Sequence, residues 1–270
     1  MAKGASNHIA GDSGKERGTA LITGAARRIG RSIAMDLAAH GWNIAVHYNS
    51  SRQEAEDVAA EISEHGRQYG GRVDIFQADL GMESECERLV PLIHQKMGPL
   101  NCLINNASVF QHDTPTTATR DSWDMHMQVN LRAPFVLTQG FAAQLPDGVD
   151  GNVINIIDQR VWNLSPVYTS YTLSKAGLWA LTQTLAQGLA PAIRVNAIGP
   201  GPTLRNTFQG EEGFEREWRS VLLGRKVDLR EICEAVRFIL DARSMTGQMI
   251  ALDSGQHLGW SSSDGETIKS

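Results

Sequence analysis

The stretch Thr19-Ala20-Leu21-Ile22-Thr23-Gly24-Ala25-Ala26-Arg27-Arg28-Ile29-Gly30 carries the decision about the fold. It opens as a short apolar run bounded by threonines, the composition of a buried strand. Gly24 breaks the run, and from Arg28 to His40 the residues Ile29, Ile33, Ala34 and Leu37 recur at helical spacing until Gly41 stops them. A strand that passes through small residues into a helix N-terminus offers an anion free backbone N–H groups and a favourable dipole. Gly24, Arg28, Ile29 and Gly30 are therefore candidates for holding a pyrophosphate. Such a turn alone is a weak signal; its place between strand and helix strengthens it.

Outward from this unit the alternation repeats. Strands are expected at 43–48, 72–76, 100–104, 152–157, 193–198 and 248–252, and helices at 51–65, 83–97, 167–189 and 230–240, with two further helical stretches before the fifth strand. Strands alternating with helices mean βαβ units, hence an α/β fold: a single doubly wound Rossmann domain, its central parallel sheet covered by helices on both faces. The expected boundaries are a flexible N-terminal extension over 1–17, the domain over 18–260 and a flexible tail over 261–270. The stretch from Gly199 to Lys226, rich in Gly, Pro, Arg and Glu, breaks the rhythm after the sixth strand. It reads as a lid or substrate loop, because such sheets bind ligands at the carboxyl ends of their strands. An ordinary surface insertion is the plainer alternative.

The 270 residues carry 25 Lys and Arg against 30 Asp and Glu, a net charge of −5. That balance creates no field for phosphate backbones or anionic lipid, so neither nucleic acid nor a membrane is expected as partner. No apolar run nears the roughly 18 residues of a spanning helix, and the polar first residues lack the apolar centre of a secretory signal. Cys86, Cys102 and Cys233 are odd in number and far apart, as suits unpaired thiols in a reduced cytoplasmic protein. The eight histidines show no ligand spacing, and no metal is expected.

The end of the second strand decides the cofactor. An NAD site wants an acid there, about 20 residues past the glycines, to accept from the ribose 2′-hydroxyl. Here the run is His47-Tyr48-Asn49-Ser50-Ser51-Arg52, which has hydroxyls and a cation but no acid. Facing Arg27 and Arg28, it suits a 2′-phosphate, and NADPH is expected rather than NADH. A solvated helix start would also explain the two arginines, although cations near a helix N-terminus are mildly unfavourable without an anion.

Tyr171 and Lys175 stand at i and i+4 of the long helix and share a face. A phenol is a sluggish acid at neutral pH. An ammonium one turn away is expected to stabilise the phenolate, lower the phenol's pKa and make it a usable proton donor. The spacing is common by chance and gains weight from the nucleotide loop before it.

Together these residues resemble the short-chain dehydrogenase/reductase family, from about Thr19 to Leu258. The resemblance rests on the loop Thr23–Gly30, Asp79-Leu80, Asn105-Asn106-Ala107, Asn130, Tyr171 with Lys175, Gly199-Pro200-Gly201, and Thr246-Gly247 to Asp253. It implies cofactor contacts from Asp79, Leu80, Asn106, Ala107, Ser108, Lys175, Pro200 and Gly201, and a proton-relay water held by Asn130. Two departures, Arg28 for the middle glycine and Asp158 for the usual serine before the tyrosine, look like the pteridine reductase branch. So do HYxxS at His47–Ser51, NNASxF at Asn105–Phe110 and YTxYTxxK at Tyr168–Lys175. That branch implies Arg28 and Ser51 gripping the 2′-phosphate and Phe110 stacking a pterin against the nicotinamide. It also implies Ser108 helping to hold the ring, and Asp158 with Tyr171 supplying protons. His47, Tyr48 and Asn49 join the cofactor set as part of the HYxxS run.

The chemistry agrees with this resemblance. Phe110 offers a flat ring a stacking plate. An ionised Asp158 would oppose phenolate formation in ketone reduction, whereas a carboxyl that shuttles a proton suits an imine nitrogen. The expected function is NADPH-dependent hydride transfer to a C=N bond of a pterin or dihydropterin, extending to dihydrofolate. A ketone or 3-oxoacyl reductase with the same cofactor is the alternative, and a non-catalytic NADPH sensor is a third reading that the intact Tyr/Lys/Asn set opposes. The resemblance also implies a homotetramer built on the fourth and fifth helices and the C-terminal segment, where Gln256 to Trp260 could reach a neighbouring site.

Overall fold

Apolar β-branched runs and helical segments alternate along the chain, and a computed structural model, which describes residues 17–66, 71–205 and 209–259, folds them accordingly. In chain order the elements are β1 (Thr19–Ile22), α1 (Arg28–Ala39), β2 (Asn43–Tyr48), α2 (Arg52–Gly66) and β3 (Val73–Gln77). Next come α3 (Glu83–Met97), β4 (Leu100–Asn105), α4 (Arg120–Met127), α5 (Ala133–Gln144), β5 (Gly151–Ile156) and α6 (Thr169–Leu189). Then β6 (Ile193–Pro200), α7 (Glu211–Ser220), α8 (Leu229–Asp241) and β7 (Met249–Leu252) complete the series. A π-helical turn, Gln128–Arg132, joins α4 to α5.

The strands pair in parallel in the order β3-β2-β1-β4-β5-β6-β7. Successive strand side chains point to opposite faces, and both faces are apolar because both are covered. Ala20 and Ile22 of β1 pack with Ile33 and Leu37 of α1, Val58 and Ile62 of α2, and Val236 and Ile239 of α8. Leu21 points the other way, into a cluster with Leu89 and Ile93 of α3, Leu137 and Phe141 of α5, and Ala186 of α6. The chain turns one way from β1 through β3 and returns to lay β4 on the other side of β1. Loops leaving β1 and β4 therefore diverge, which opens a crevice at the carboxyl edge of the sheet.

Two local expectations need correction. The stretch 199–226 is not all loop, because it contains α7. Its composition resembles a loop, but Phe214 and Trp218 stand at i and i+4, and both are half-buried. The sixth strand also runs past its expected end at Ile198, since Gly199 and Pro200 still pair with Ala251 and Leu252 of β7. Of the expected N-terminal extension, Arg17 is described and donates its N–H to the Gly41 carbonyl at 3.3 Å. Residues 1–16 and 206–208, the tail over 261–270, and Trp260 of the C-terminal run lie outside the described residues. Among the described residues no helix is long and apolar enough to cross a membrane.

Candidate active site

The tips of β1 and β4 are fastened to each other by polar bonds. The Thr23 hydroxyl donates to the Ile104 carbonyl at 3.3 Å and accepts from the N–H groups of Asn106 and Ala107, each at 2.9 Å. The Asn106 amide donates to the carbonyls of Thr23 and Gly24 at 2.8 and 3.3 Å. Gly24 has φ +64°, a left-handed conformation that disfavours a side chain, and a Cβ there would lie 3.1 Å from the Ala107 backbone. The glycine thus serves both the turn and the close approach of the two loops.

Behind the loop stands His47. Its Nδ1 accepts from the Gly24 N–H at 3.0 Å, so Nε2 carries the proton and donates to the Ala78 carbonyl at 3.0 Å. Burial lowers its pKa to about 4, against small opposing effects of the Ala78 bond and Asp79. With 2% exposure and both nitrogens engaged, His47 supports the glycine loop and does not line the crevice.

The crevice has a volume of ≈ 570 Å³. Gly24, Arg28, Ile29, Gly30, Tyr48, Asn49, Ser51, Asn106, Ala107, Ser108, Lys175, Pro200 and Gly201 all line it. At its floor α1 begins without a side-chain cap and with no acid in its first turn, so the first N–H groups lack intrahelical partners. An uncapped helix start, bordered by cations and by a strand end without an acid, fits a dinucleotide carrying an extra phosphate. Asp79, Leu80 and Asn130 do not line the crevice. Asp79 accepts from the Gly81 N–H at 2.9 Å and from the Asn49 amide at 3.4 Å, which places it just behind the β2 end. Leu80 is buried, and its carbonyl accepts from the Cys86 thiol.

The arginines depart from expectation. Arg28 has φ +56°, which explains why a glycine is usual there, and its guanidinium crosses to the carbonyls of Arg205 at 2.7 Å and Leu204 at 3.2 Å. Arg27 pairs with Glu54 of α2. Both expected phosphate cations thus hold protein partners, one of them on the segment that follows β6.

Chemistry gathers at the other end of the crevice. The Tyr171 hydroxyl donates to Asp158 Oδ2 at 2.9 Å, and Asp158 Oδ1 accepts from the Arg160 N–H at 2.8 Å. Lys175 Nζ donates to the Ile156 carbonyl at 2.9 Å and lies 5.8 Å from the Tyr171 ring centroid. The expectation of a lowered phenol pKa is reversed. Burial, reinforced by the Asp158 charge and hydrogen bond, holds Tyr171 well above the usual phenol value. Burial also lowers the Lys175 ammonium to about 8, with Asp158 opposing. Tyr171 is a firmly protonated donor here, and its partner is the carboxylate that replaces the usual serine.

Phe110 stacks on Tyr168 with ring centroids 4.2 Å apart and 18° between planes, and meets Tyr171 edge-on at 4.7 Å. Asn130 is fully buried in the π turn. Its Oδ1 accepts from the Val109 N–H at 2.8 Å and the Ser108 hydroxyl at 3.2 Å, while its amide donates to the Val109 carbonyl and the Ser174 hydroxyl. It secures the segment leading to Phe110. Sequence reading missed Tyr168 as the second plate, although the quoted YTxYTxxK run contains it. It also missed Phe214 and Glu217 of α7, which line the crevice beside Gln209.

Residues 18–215 match the family model for short chain dehydrogenases. The chain belongs to the short-chain dehydrogenase family. This short-chain dehydrogenase is 47% identical to the crystallised alternative dihydrofolate reductase 1 (FolM) of Brucella suis in complex with NADP, with a TM-score of 0.88 over 93% of this chain and 99% of that one. It is 31% identical over 247 residues to the 3-oxoacyl-[acyl-carrier-protein] reductase of Staphylococcus aureus, which spans 89% of this chain and 98% of that protein. The angucycline C-6 ketoreductase LanV, crystallised with bound NADP, is 32% identical with a TM-score of 0.81 over 89% of this chain and 96% of that one.

Proposed function

We propose that this short-chain dehydrogenase is an NADPH-dependent reductase of a C=N bond in a pterin or dihydropterin, extending to dihydrofolate. The observation that carries the reading is the Tyr171–Asp158 hydrogen bond at 2.9 Å, with the Phe110 ring in edge contact with Tyr171. The identity to the Brucella suis alternative dihydrofolate reductase supports it further.

NADPH, when bound, supplies the hydride. The residues of the chain do the rest. The uncapped start of α1 and the hydroxyls of Ser50 and Ser51 receive the anionic end of the cofactor, and Pro200 and Gly201 border the opposite end of the crevice. Phe110, already backed by Tyr168, gives a flat ring a stacking surface. Tyr171 and Asp158 hold one proton between two oxygens, and a ring nitrogen made basic by reduction of its neighbouring carbon takes that proton. The Lys175 ammonium, one turn along, offsets the charge left on the pair.

The ketone reading is favoured by the resemblance to LanV and the 3-oxoacyl reductase. NADPH oxidation measured side by side with dihydrobiopterin, dihydromonapterin, dihydrofolate and several ketones separates the two. The expected result is the highest kcat/KM with a dihydropterin. A ketone preferred by about a hundredfold, on the order of 2.7 kcal/mol of transition-state preference, would overturn the reading.

The same reading places the enzyme in the cytoplasm, supported by three free, buried cysteines. It also takes the enzyme as a homotetramer assembled through α4, α5 and the C-terminal segment, with the outer face of α6 beside them. These helices border a hollow of ≈ 950 Å³ lined by Met125, Met127, Leu131, Phe135 and Leu181 among others.

A further inference from the structure

Beside the Phe110–Tyr168 stack lies a buried polar network that the proton chemistry above does not use. Asp113 is 2% exposed, and His126 and Ser170 are fully buried. Ser170 donates to the Asp113 carboxylate twice, through its N–H to Oδ1 at 3.1 Å and through its hydroxyl to Oδ2. The Ser122 hydroxyl reaches Oδ2 at 3.3 Å. His126 Nδ1 is 2.7 Å from the Ser170 hydroxyl oxygen, and the Gln111 N–H donates to His126 Nε2 at 3.1 Å. Because Nε2 accepts, a neutral imidazole carries its proton on Nδ1 and donates it to Ser170, whose own proton goes to Asp113. The direction of the Gln111–His126–Ser170–Asp113 relay is thereby set.

The bonds bracket the aromatic wall on both sides. Gln111 follows Phe110 directly, and Tyr168 stands two residues before Ser170. The Tyr168 N–H also donates to the Asp113 carbonyl at 2.7 Å. Tyr168 is held at φ +62°, a left-handed conformation costing about 1 kcal/mol or more for a bulky residue, and this bond lies across it. The His126 ring meets Tyr171 edge-on at 6.0 Å. A buried carboxylate is costly unless fully hydrogen-bonded, and an apolar side chain would fill the same space more simply. What the carboxylate adds is direction: it holds two chain segments, 110–113 and 168–171, at one separation.

We propose that Asp113, Ser170 and His126 are positioning residues that set the Phe110–Tyr168 wall relative to the Tyr171 hydroxyl, and so set the affinity for a flat heteroaromatic substrate. The proposal rests on the pterin reading of the site. None of the three lines the crevice, and none bonds to the glycine loop, so cofactor binding lies outside their reach.

The test is a double-mutant cycle. Asp113→Asn keeps an acceptor oxygen while removing the charge, and Ser170→Ala removes the central hydroxyl; each is made in the wild-type and in a Phe110→Leu background. NADPH affinity, kcat and the KM for a dihydropterin are measured for all. Each single variant is expected to raise that KM about tenfold and leave the NADPH dissociation constant within about twofold. In the Phe110→Leu background neither should raise KM further, because the wall they position is already lost. Unchanged KM in both single variants, or effects that simply add to that of Phe110→Leu, would overturn the proposal. Parallel loss of NADPH affinity would also overturn it, since the network would then support the fold at large. A wild-type enzyme inactive on every pterin would instead fail the reading on which the proposal depends.

Discussion

Tyr171 and Lys175 share one face of α6, yet burial acts on them in opposite senses: it holds the phenol protonated and loosens the ammonium's proton. Tyr171→Phe deletes the hydroxyl with little change of shape, so kcat should fall on the order of 10²–10⁴-fold while NADPH still binds. Turnover left intact would remove the phenol from the chemistry. Lys175 adds a pH dependence. With its pKa at about 8, the free enzyme loses the ammonium as pH rises through that value, and kcat/KM should decline above it. A profile of kcat/KM from roughly pH 6 to 10 reads this directly, and a flat line through about pH 9 would contradict it. The residues behind both predictions were legible in the sequence, because i, i+4 spacing on a helix survives folding unchanged. Arg28 shows the limit. Its position in the loop was legible, but its partners are carbonyls 176 and 177 residues away, on a segment whose path no local pattern encodes. Asp113, Ser170 and His126 come from three separate segments and carry no common spacing, so only the folded chain brings them together.

At the scale of elements, strand and helix periods announced β1 to β6 and α1 to α3 closely, because buried parallel strands and amphipathic helices bear strong apolar patterns. The helix α7 was hidden. Charged residues dominate its composition, and its short apolar face is Phe214 with Trp218. That helix matters, since it brings Phe214 and Glu217 to the crevice and closes a side that a loop would leave loosely defined. The outer faces of α4, α5 and α6 and the π turn between the first two place Met125, Leu131, Phe135 and Leu181 around one apolar hollow. Exposed apolar patches of this kind mark association surfaces. Leu181→Glu would bury a charge in any such interface. It should therefore shift the assembled species to a smaller one in sedimentation velocity while NADPH binding persists in the subunit. A wild-type protein that sediments as a monomer at micromolar concentration would refute the tetramer.

Across the whole molecule, one imidazole ties three neighbouring segments together: His47 on β2 bonds the glycine loop after β1 and the backbone after β3. Folded His47 resists protonation down to about pH 4, while the unfolded residue takes a proton near 6.5. Its contribution is thus fully present above pH 6.5 and is lost as pH falls toward 4, up to about 3 kcal/mol in all. Glutamine can accept and donate in the same place without titrating. Denaturant unfolding at pH 7 and near pH 4.5 should accordingly show a smaller acid loss for His47→Gln than for the wild type. Equal losses would show that acid acts elsewhere.

The order of strands has an outcome of its own. The β2 tip, which brings Tyr48, Asn49 and Ser51 to the crevice, stands three strand spacings from the β5 tip, where Asp158 meets Tyr171, or roughly 14 Å across the sheet. On the proposed function, coenzyme choice and substrate chemistry therefore sit at separate strand tips of one sheet, joined through the Thr23 hydroxyl where β1 meets β4. Side chains at either tip can therefore be exchanged without direct contact with the other, which makes the scaffold receptive to changing one trait at a time.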